Sequence, residues 1–428
     1  MKSKALSFPK NFKWCVATAG HQIEGGNFSS DWWWWENQPG KIKHGDTSRV
    51  ACDHWNRVES DSDLIRDMGF TDYRMSVEWA KIEPEPGVFK DDVLRHYKNE
   101  VRALRQRGIS PMVTLNHFVL PKWFLDMGGW AHPNAPKMFE RYARQIYAAL
   151  GSDVDFWFTL NEPMVYVTLA YVTNMFPPGA NDVKLAPPVV KGLLLSHARA
   201  YRALHDLAAR FKRRVYVGIA HHLRIFDPLR PNDTMDVWIA RLLEKTFNWT
   251  MIDALQTGRL TMKIPLVLDY EEDLPELRGT EDFVGINYYS RDIIRFSLRS
   301  PLFFERLIRS EAPVSDVQWE IYPEGLYRLL KELHARYKDT PLLISENGIA
   351  DRNHQKRKHF IQTHLEQTLR AMNEGVPVIG YCHWTLMDNF EWIEGYEPKF
   401  GLFETHYETQ ERRLRPSGEW FKAFIHSQ

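Results

Sequence analysis

The sequence predicts an α/β fold, a single (β/α)8 (TIM) barrel over residues 1–428. Three observations predict it: eight short apolar or β-branched runs, amphipathic stretches between them, and no low-complexity linker or internal repeat that would divide the chain. The runs are "FKWCVATA" (12–19), "TDYRMSV" (71–77), "ISPMVTLNH" (109–117), "FWFTL" (156–160), "RVYVGIAHH" (214–222), "DFVGINYY" (282–289), "PLLISENG" (341–348) and "PVIGYCHW" (377–384). Their near-continuous apolarity marks parallel strands buried on both faces. Between them, "DDVLRHYKNEVRALRQRG" (91–108) and "HFIQTHLEQTLRAMNEG" (359–375) carry helical periodicity and end at glycines that close a helix. A doubly wound sheet is the competing architecture, but no Gly-x-Gly-x-x-Gly follows the first strand. In a barrel the chemistry belongs at the C-terminal ends of the strands.

Composition narrows the function classes. Lys+Arg and Asp+Glu both total 55, for a formal net charge of +0, which argues against nucleic acid or an anionic membrane surface as partner. No run of about 18 apolar residues is present, so no transmembrane helix is expected. The opening "MKSKALSFPKNFKW" shows no secretory signal pattern, and three scattered cysteines fit a reducing compartment; a cytoplasmic location is the expectation. The 16 Trp, 17 Tyr and 24 Phe suit either a large core or a carbohydrate cleft.

Two predicted strands end in a glutamate beside an asparagine: "TLNEP" (159–163) holds Asn161 and Glu162, and "ISENG" (344–348) holds Glu346 and Asn347. A carboxyl at the tip of a buried strand is costly to desolvate unless it is paired or used. Either glutamate alone could be a rim ion pair. Together, on facing strands four and seven, they form the two-carboxylate arrangement that glycoside hydrolysis requires.

Around them stand "QIEG" (22–25), "ACDHWNR" (51–57), "YRMSVEWAKIEP" (73–84), "VTLNHFVLPKWF" (113–124) and "GGW" (128–130), then "DFVGINYYS" (282–290), "IYPEGL" (321–326) and "HWTLMDNFEWIEGY" (383–396). With this ordered set the sequence resembles the family 1 glycoside hydrolases, the retaining β-glucosidase and β-galactosidase family, from about Phe8 to Phe424. The resemblance implies Glu162 as acid/base and Glu346 as nucleophile, with Arg74 and Tyr289 keeping the nucleophile ionised. It implies that the negative charge of Glu346 holds Glu162 protonated. It assigns Gln22, His117, Asn161, Glu391 and Trp392 to the non-reducing sugar, Asn287 to support, Trp384 and Phe400 to the floor and side, and Trp319 to the leaving-group side. Glu391 stands where the 6-phospho-glycosidases of the family carry serine, so a neutral β-glycoside or short oligosaccharide is expected, with gluco, galacto and fuco donors all tolerated. No cofactor and no metal are implied. Transfer of the sugar to an acceptor would use the same residues, and a sugar-binding barrel without turnover is the competing non-enzymatic reading.

Departures from the family pattern also carry expectations. Phe118 stands where many members have tryptophan, which suggests a more open leaving-group side. The segment "DWWWWEN" (31–37) follows strand one; as a helix it places Trp32 and Trp35 on one face, packed inward, and Trp33 is the ring expected near the sugar or leaving group. His221-His222 lacks a third ligand at metal spacing and is set aside as a metal site. "DRNHQKRKH" (351–359) reads as a solvated loop. Nothing in the sequence specifies an oligomeric interface.

Overall fold

A computed structural model describes residues 6–300 and 302–428. Eight strands close a barrel in which each pairs in parallel with its neighbours in chain order, the eighth returning to the first. They are β1 (Lys13–Ala17), β2 (Asp72–Ser76), β3 (Ser110–Asn116), β4 (Phe156–Asn161), β5 (Tyr216–His222), β6 (Phe283–Asn287), β7 (Leu342–Asn347) and β8 (Val378–Trp384). All eight expected runs became barrel strands. Their ends differ from the expected ones by at most a few residues.

The helices between strands form because one face of each is apolar and the strands offer an apolar wall. Helix Asp91–Gln106 buries Tyr97, Val101 and Leu104, and Gly108 ends it at a φ of 76° that a side chain would resist. Helix Arg357–Asn373 ends likewise before Gly375, at φ 89°. Strand residues such as Val113, Leu115, Ile219, Val284 and Ile344 face this outer layer and are buried. The alternate residues fill the barrel: Cys15, Ala17, Met112, Phe158, Ala220, Phe283, Leu343 and Cys382 pack together in its interior. Small side chains on β1 and β5 face large ones on β4 and β6, so the interior is a packed plug, and the site sits above it. No helix among the described residues is long and apolar enough to cross a membrane.

The charge run at 351–359 is the expected solvated loop only in part: Arg352, Asn353 and Gln355 are exposed. Asp351 and Arg357 are buried, and the segment turns into a helix at Arg357. The Arg357 guanidinium donates to the carbonyls of Asp351 at 2.9 Å and Lys399 at 2.5 Å, tying the loop after β7 to the one after β8. A buried cation is tolerated there because backbone oxygens receive it.

Candidate active site

Both glutamates sit at deliberate breaks in strand regularity. On β4 the pairing with β5 slips between Phe158 and Asn161, and on β7 the pairings with β6 and β8 slip after Ile344. Such irregularities re-aim side chains at a barrel rim. Glu162 itself adopts φ 45° and ψ 53°, immediately before a helix that begins at Pro163. Positive φ is strained for a side-chain-bearing residue, and such strain clusters at working sites. A regular strand end would leave neither carboxyl pointing as it does.

Glu346 is held by two donors, one on each oxygen. Arg74 Nη1 donates to Oε1 at 2.5 Å, and the Tyr289 hydroxyl donates to Oε2 at 2.6 Å. Arg74 is buried to 1% exposure, and its two terminal nitrogens carry its hydrogen bonds while Nε has no partner. Its Nη1 also reaches the Ser345 carbonyl at 3.2 Å, its Nη2 donates to Asn161 Oδ1 at 2.6 Å, and its plane lies 4.6 Å from the Phe158 ring centre. Asn161 Oδ1 also accepts from Asn287 Nδ2 at 3.2 Å, and Asn287 Nδ2 donates to Glu162 Oε1 at 2.8 Å. Ser345 Oγ fixes Asn287 by donating to its Oδ1 at 2.6 Å. Thus one unbroken hydrogen-bond chain from β2 through β4 and β6 links the two carboxyls.

The residues expected on the sugar side gather around this chain. Asn161 Nδ2 meets His117 Nε2 at 3.1 Å, and burial together with the Arg74 charge drives His117 well below its usual pKa, so the ring is neutral. The His117 ring stacks on Trp384 at 5.8 Å and on Trp392 at 6.1 Å. Gln22 Nε2 donates to Glu391 Oε2 at 3.2 Å and to the Phe390 carbonyl at 2.9 Å. His117 Nδ1 and Gln22 Oε1 are buried without a protein partner, a costly state that a hydroxylated ligand would relieve. On the opposite side Tyr289, Trp319 and Phe400 form an aromatic corner with ring centres 5.5–6.2 Å apart. Phe118 is buried against Phe176 and Trp392, so it backs the sugar-side wall.

Trp33 is the expected residue that the structure does not bring into this cluster. Ser30 caps helix Asp31–Glu36 by accepting from the Trp33 amide, and that register turns Trp32 and Trp35 inward, at 0% and 2% exposure. Trp32 packs 4.6 Å from Trp392, buttressing a sugar-side ring. Trp33 is turned the other way, edge-on to Phe28 at 4.8 Å and beneath the Arg49 guanidinium at 5.7 Å.

The residue that sequence reasoning missed is His222. Successive residues of β5 point to opposite faces. His221 therefore meets Glu281 at 3.2 Å, while His222 Nδ1 meets Glu162 Oε1 at 3.0 Å. The signal is in the sequence, a histidine at a strand tip on the catalytic face, and the lack of metal-ligand spacing does not exclude it from the site.

His222 also decides the charge distribution. Burial raises the Glu162 carboxyl, and the charge of a protonated His222, with Asn287 and Arg74, would outweigh it and bring the group below its usual pKa. Burial pushes Glu346 up to about 7, the Glu162 charge adding to it, against Arg74 and Tyr289. Burial, then the charges of Glu346 and Glu162, push half-buried Glu391 up to about 8. A group raised in the folded state favours folding fully below its unfolded pKa, and that contribution is lost as pH rises through its folded pKa. The contribution of Glu346 and Glu391 to stability should therefore fall between about pH 4.5 and 8. Replacing Glu391 by Gln removes its share: the variant should unfold at a higher temperature than the parent at pH 8, by up to a few kcal/mol at about 1.4 kcal/mol per pKa unit, with the advantage gone by about pH 4.5. Thermal unfolding of both proteins across that range checks it.

The same barrel and rim occur in known enzymes. The family model described as Glycosyl hydrolase family 1 matches residues 4–428. The chain belongs to this family. It is 35% identical to β-glucosidase A of Thermotoga maritima over 98% of this chain and 97% of that protein. It is 34% identical to a 1,4-β-D-glucan glucohydrolase of Thermotoga neapolitana, over 98% of each. The structure of the family 1 β-glucosidase from Thermotoga maritima superposes with a TM-score of 0.91 at 33% identity, covering 99% of both chains. The same enzyme in complex with glucoimidazole matches equally well, with a TM-score of 0.91. The chain is therefore a glycoside hydrolase of β-glucosidase type that works with retention at the anomeric carbon, and the reading as a sugar-binding barrel without turnover falls.

Proposed function

We propose that this family 1 enzyme releases terminal non-reducing β-D-glucosyl residues from neutral glucosides and short β-linked oligosaccharides, with Glu346 as nucleophile and Glu162 as acid/base. Residues 1–428 form one catalytic unit that needs no cofactor or metal and operates in the cytoplasm, a reading supported by three unpaired, buried cysteines. The names of the Thermotoga relatives and the glucoimidazole complex favour the gluco configuration.

In the first half-reaction Glu346 attacks the anomeric carbon while Glu162 gives its proton to the departing oxygen. His222 and Asn287 both address Oε1 of Glu162, so the transferable proton belongs on Oε2. Arg74 and Tyr289 hold the Glu346 carboxylate in one orientation for attack. Once the sugar is bonded to Glu346, its charge is gone, and Glu162 takes a proton from water to drive the second half-reaction.

Glu391 is the observation that carries the substrate class. It is paired with neutral Gln22, has no cationic partner among the described residues, and feels the charges of Glu346 and Glu162. Raised to about 8, it both donates to and accepts from sugar hydroxyls near neutrality. A phosphate or carboxylate placed there would meet carboxyls and no cation. Across a donor panel, kcat/KM for β-glucosides, β-galactosides and β-fucosides should stay within about 100-fold of one another, and 6-phospho-glucosides and glucuronides should fall at least 100-fold below the best. A 6-phospho-glucoside that outperforms the glucoside would overturn the proposal.

A further inference from the structure

We propose that His222 and Arg224 form a positioning pair that holds the Glu162 acid/base through a neutral, single-tautomer histidine. The inference rests on Glu162 being the acid/base and asks what keeps its proton in place. Arg224 Nε donates to His222 Nε2 at 3.0 Å, and an arginine nitrogen can only donate. His222 Nε2 is therefore the acceptor, the ring proton sits on Nδ1, and Nδ1–H donates to Glu162 Oε1 at 3.0 Å. A second ring proton on Nε2 would point at the Arg224 N–H, so the guanidinium keeps the ring uncharged.

Arg224 is fixed in turn. Its Nη1 donates to Asp292 at 2.7 Å, Asp292 also receives Arg306 at 3.0 Å, and the Arg224 amide donates to Asn248 Oδ1 at 3.1 Å. The His222 ring stacks on Tyr289 at 5.8 Å and meets Phe247 edge-on at 5.9 Å, which packs it on two sides. The ionisable groups facing the pair are thus Glu162 and Tyr289 in front and Asp292 with Arg306 behind. Arg74, Glu346 and Glu391 stand beyond Glu162.

The consequence concerns charge as well as geometry. A cationic His222 would stabilise the Glu162 carboxylate and leave the enzyme short of its acid. A neutral one supplies only a hydrogen bond to Oε1 and lets Oε2 keep its proton. Arg224 decides between these states while lying 6.0 Å from the Trp319 ring on the leaving-group side.

The test uses three single variants of the full-length enzyme, one double variant and a Glu162→Ala control, with kcat/KM followed against pH on an alkyl β-glucoside and on a dinitrophenyl β-glucoside. His222→Ala should cost the alkyl substrate at least tenfold more than the dinitrophenyl one, whose leaving group needs no proton. It should also move the basic limb to higher pH, because the carboxylate loses a donor. Arg224→Met should move that limb to lower pH, because the freed ring can take up charge. His222→Asn, whose amide nitrogen replaces Nδ1, should restore the parental limb and cancel the Arg224→Met shift in the double variant. Equal losses on both substrates, or limbs that shift together, would overturn the pair. Variants that do not fold, read by unfolding temperature, leave His222→Asn alone to decide: parental profile for, alanine-like losses against. A Glu162→Ala enzyme without leaving-group dependence would instead remove the acid/base assignment itself.

Discussion

Glu346→Gly will lose at least about 10⁴-fold in kcat on every β-glycoside while remaining folded. In the proposed reaction no other side chain takes the attack on the anomeric carbon, since Glu162 is held from Oε1 by His222 and Asn287 and is assigned to the leaving oxygen. The substitution strands Arg74 as a buried cation with only Asn161 and the Ser345 carbonyl as partners, which costs about 3 to 5 kcal/mol of stability. That same stranded charge makes the space attractive to small anions. Added azide or formate should restore turnover of a dinitrophenyl β-glucoside, and azide should yield the α-glycosyl azide, because the anion enters from the face that Glu346 occupied. Proton NMR of the anomeric centre reads the configuration. More than about 1% residual activity without added anion, or a β-configured azide, would remove Glu346 from the nucleophile role.

The barrel was legible because burial on both faces leaves an unmistakable mark, runs of apolar residues separated by helices, and all eight became strands. Glu162, Glu346 and their neighbours Arg74, Asn161 and Tyr289 were legible because strand tips can be counted. Side-chain direction was not. Helical spacing put Trp32 and Trp35 inward, but it does not say what the opposite face meets, and Trp33 lies against Phe28 and Arg49. Charge distribution was hidden for a related reason. That Glu162 faces a histidine depends on alternation along β5, on a register slip between β4 and β5, and on Arg224 reaching back over two residues. Arg357 shows the same limit: a charge run reads as solvated until backbone carbonyls from a distant loop converge on it.

Glu162→Ala, by contrast, will lose activity in proportion to how poorly the aglycone leaves. An alkyl β-glucoside needs its oxygen protonated as the bond breaks and should slow by about 10² to 10⁴-fold. A dinitrophenolate leaves without help, so glycosylation of Glu346 should proceed nearly as before. Hydrolysis of that intermediate still needs a base, so it should become the slow step and produce a burst of dinitrophenol. Azide needs no deprotonation and enters from the face that Glu162 vacated, giving the β-glycosyl azide and raising the steady-state rate. Opposite product configurations from the two glutamate variants would follow only if each carboxyl stands on its own face of the sugar. The geometry supports that separation, because Arg74 and Tyr289 on one side and His222 on the other leave neither glutamate free to take the other's part.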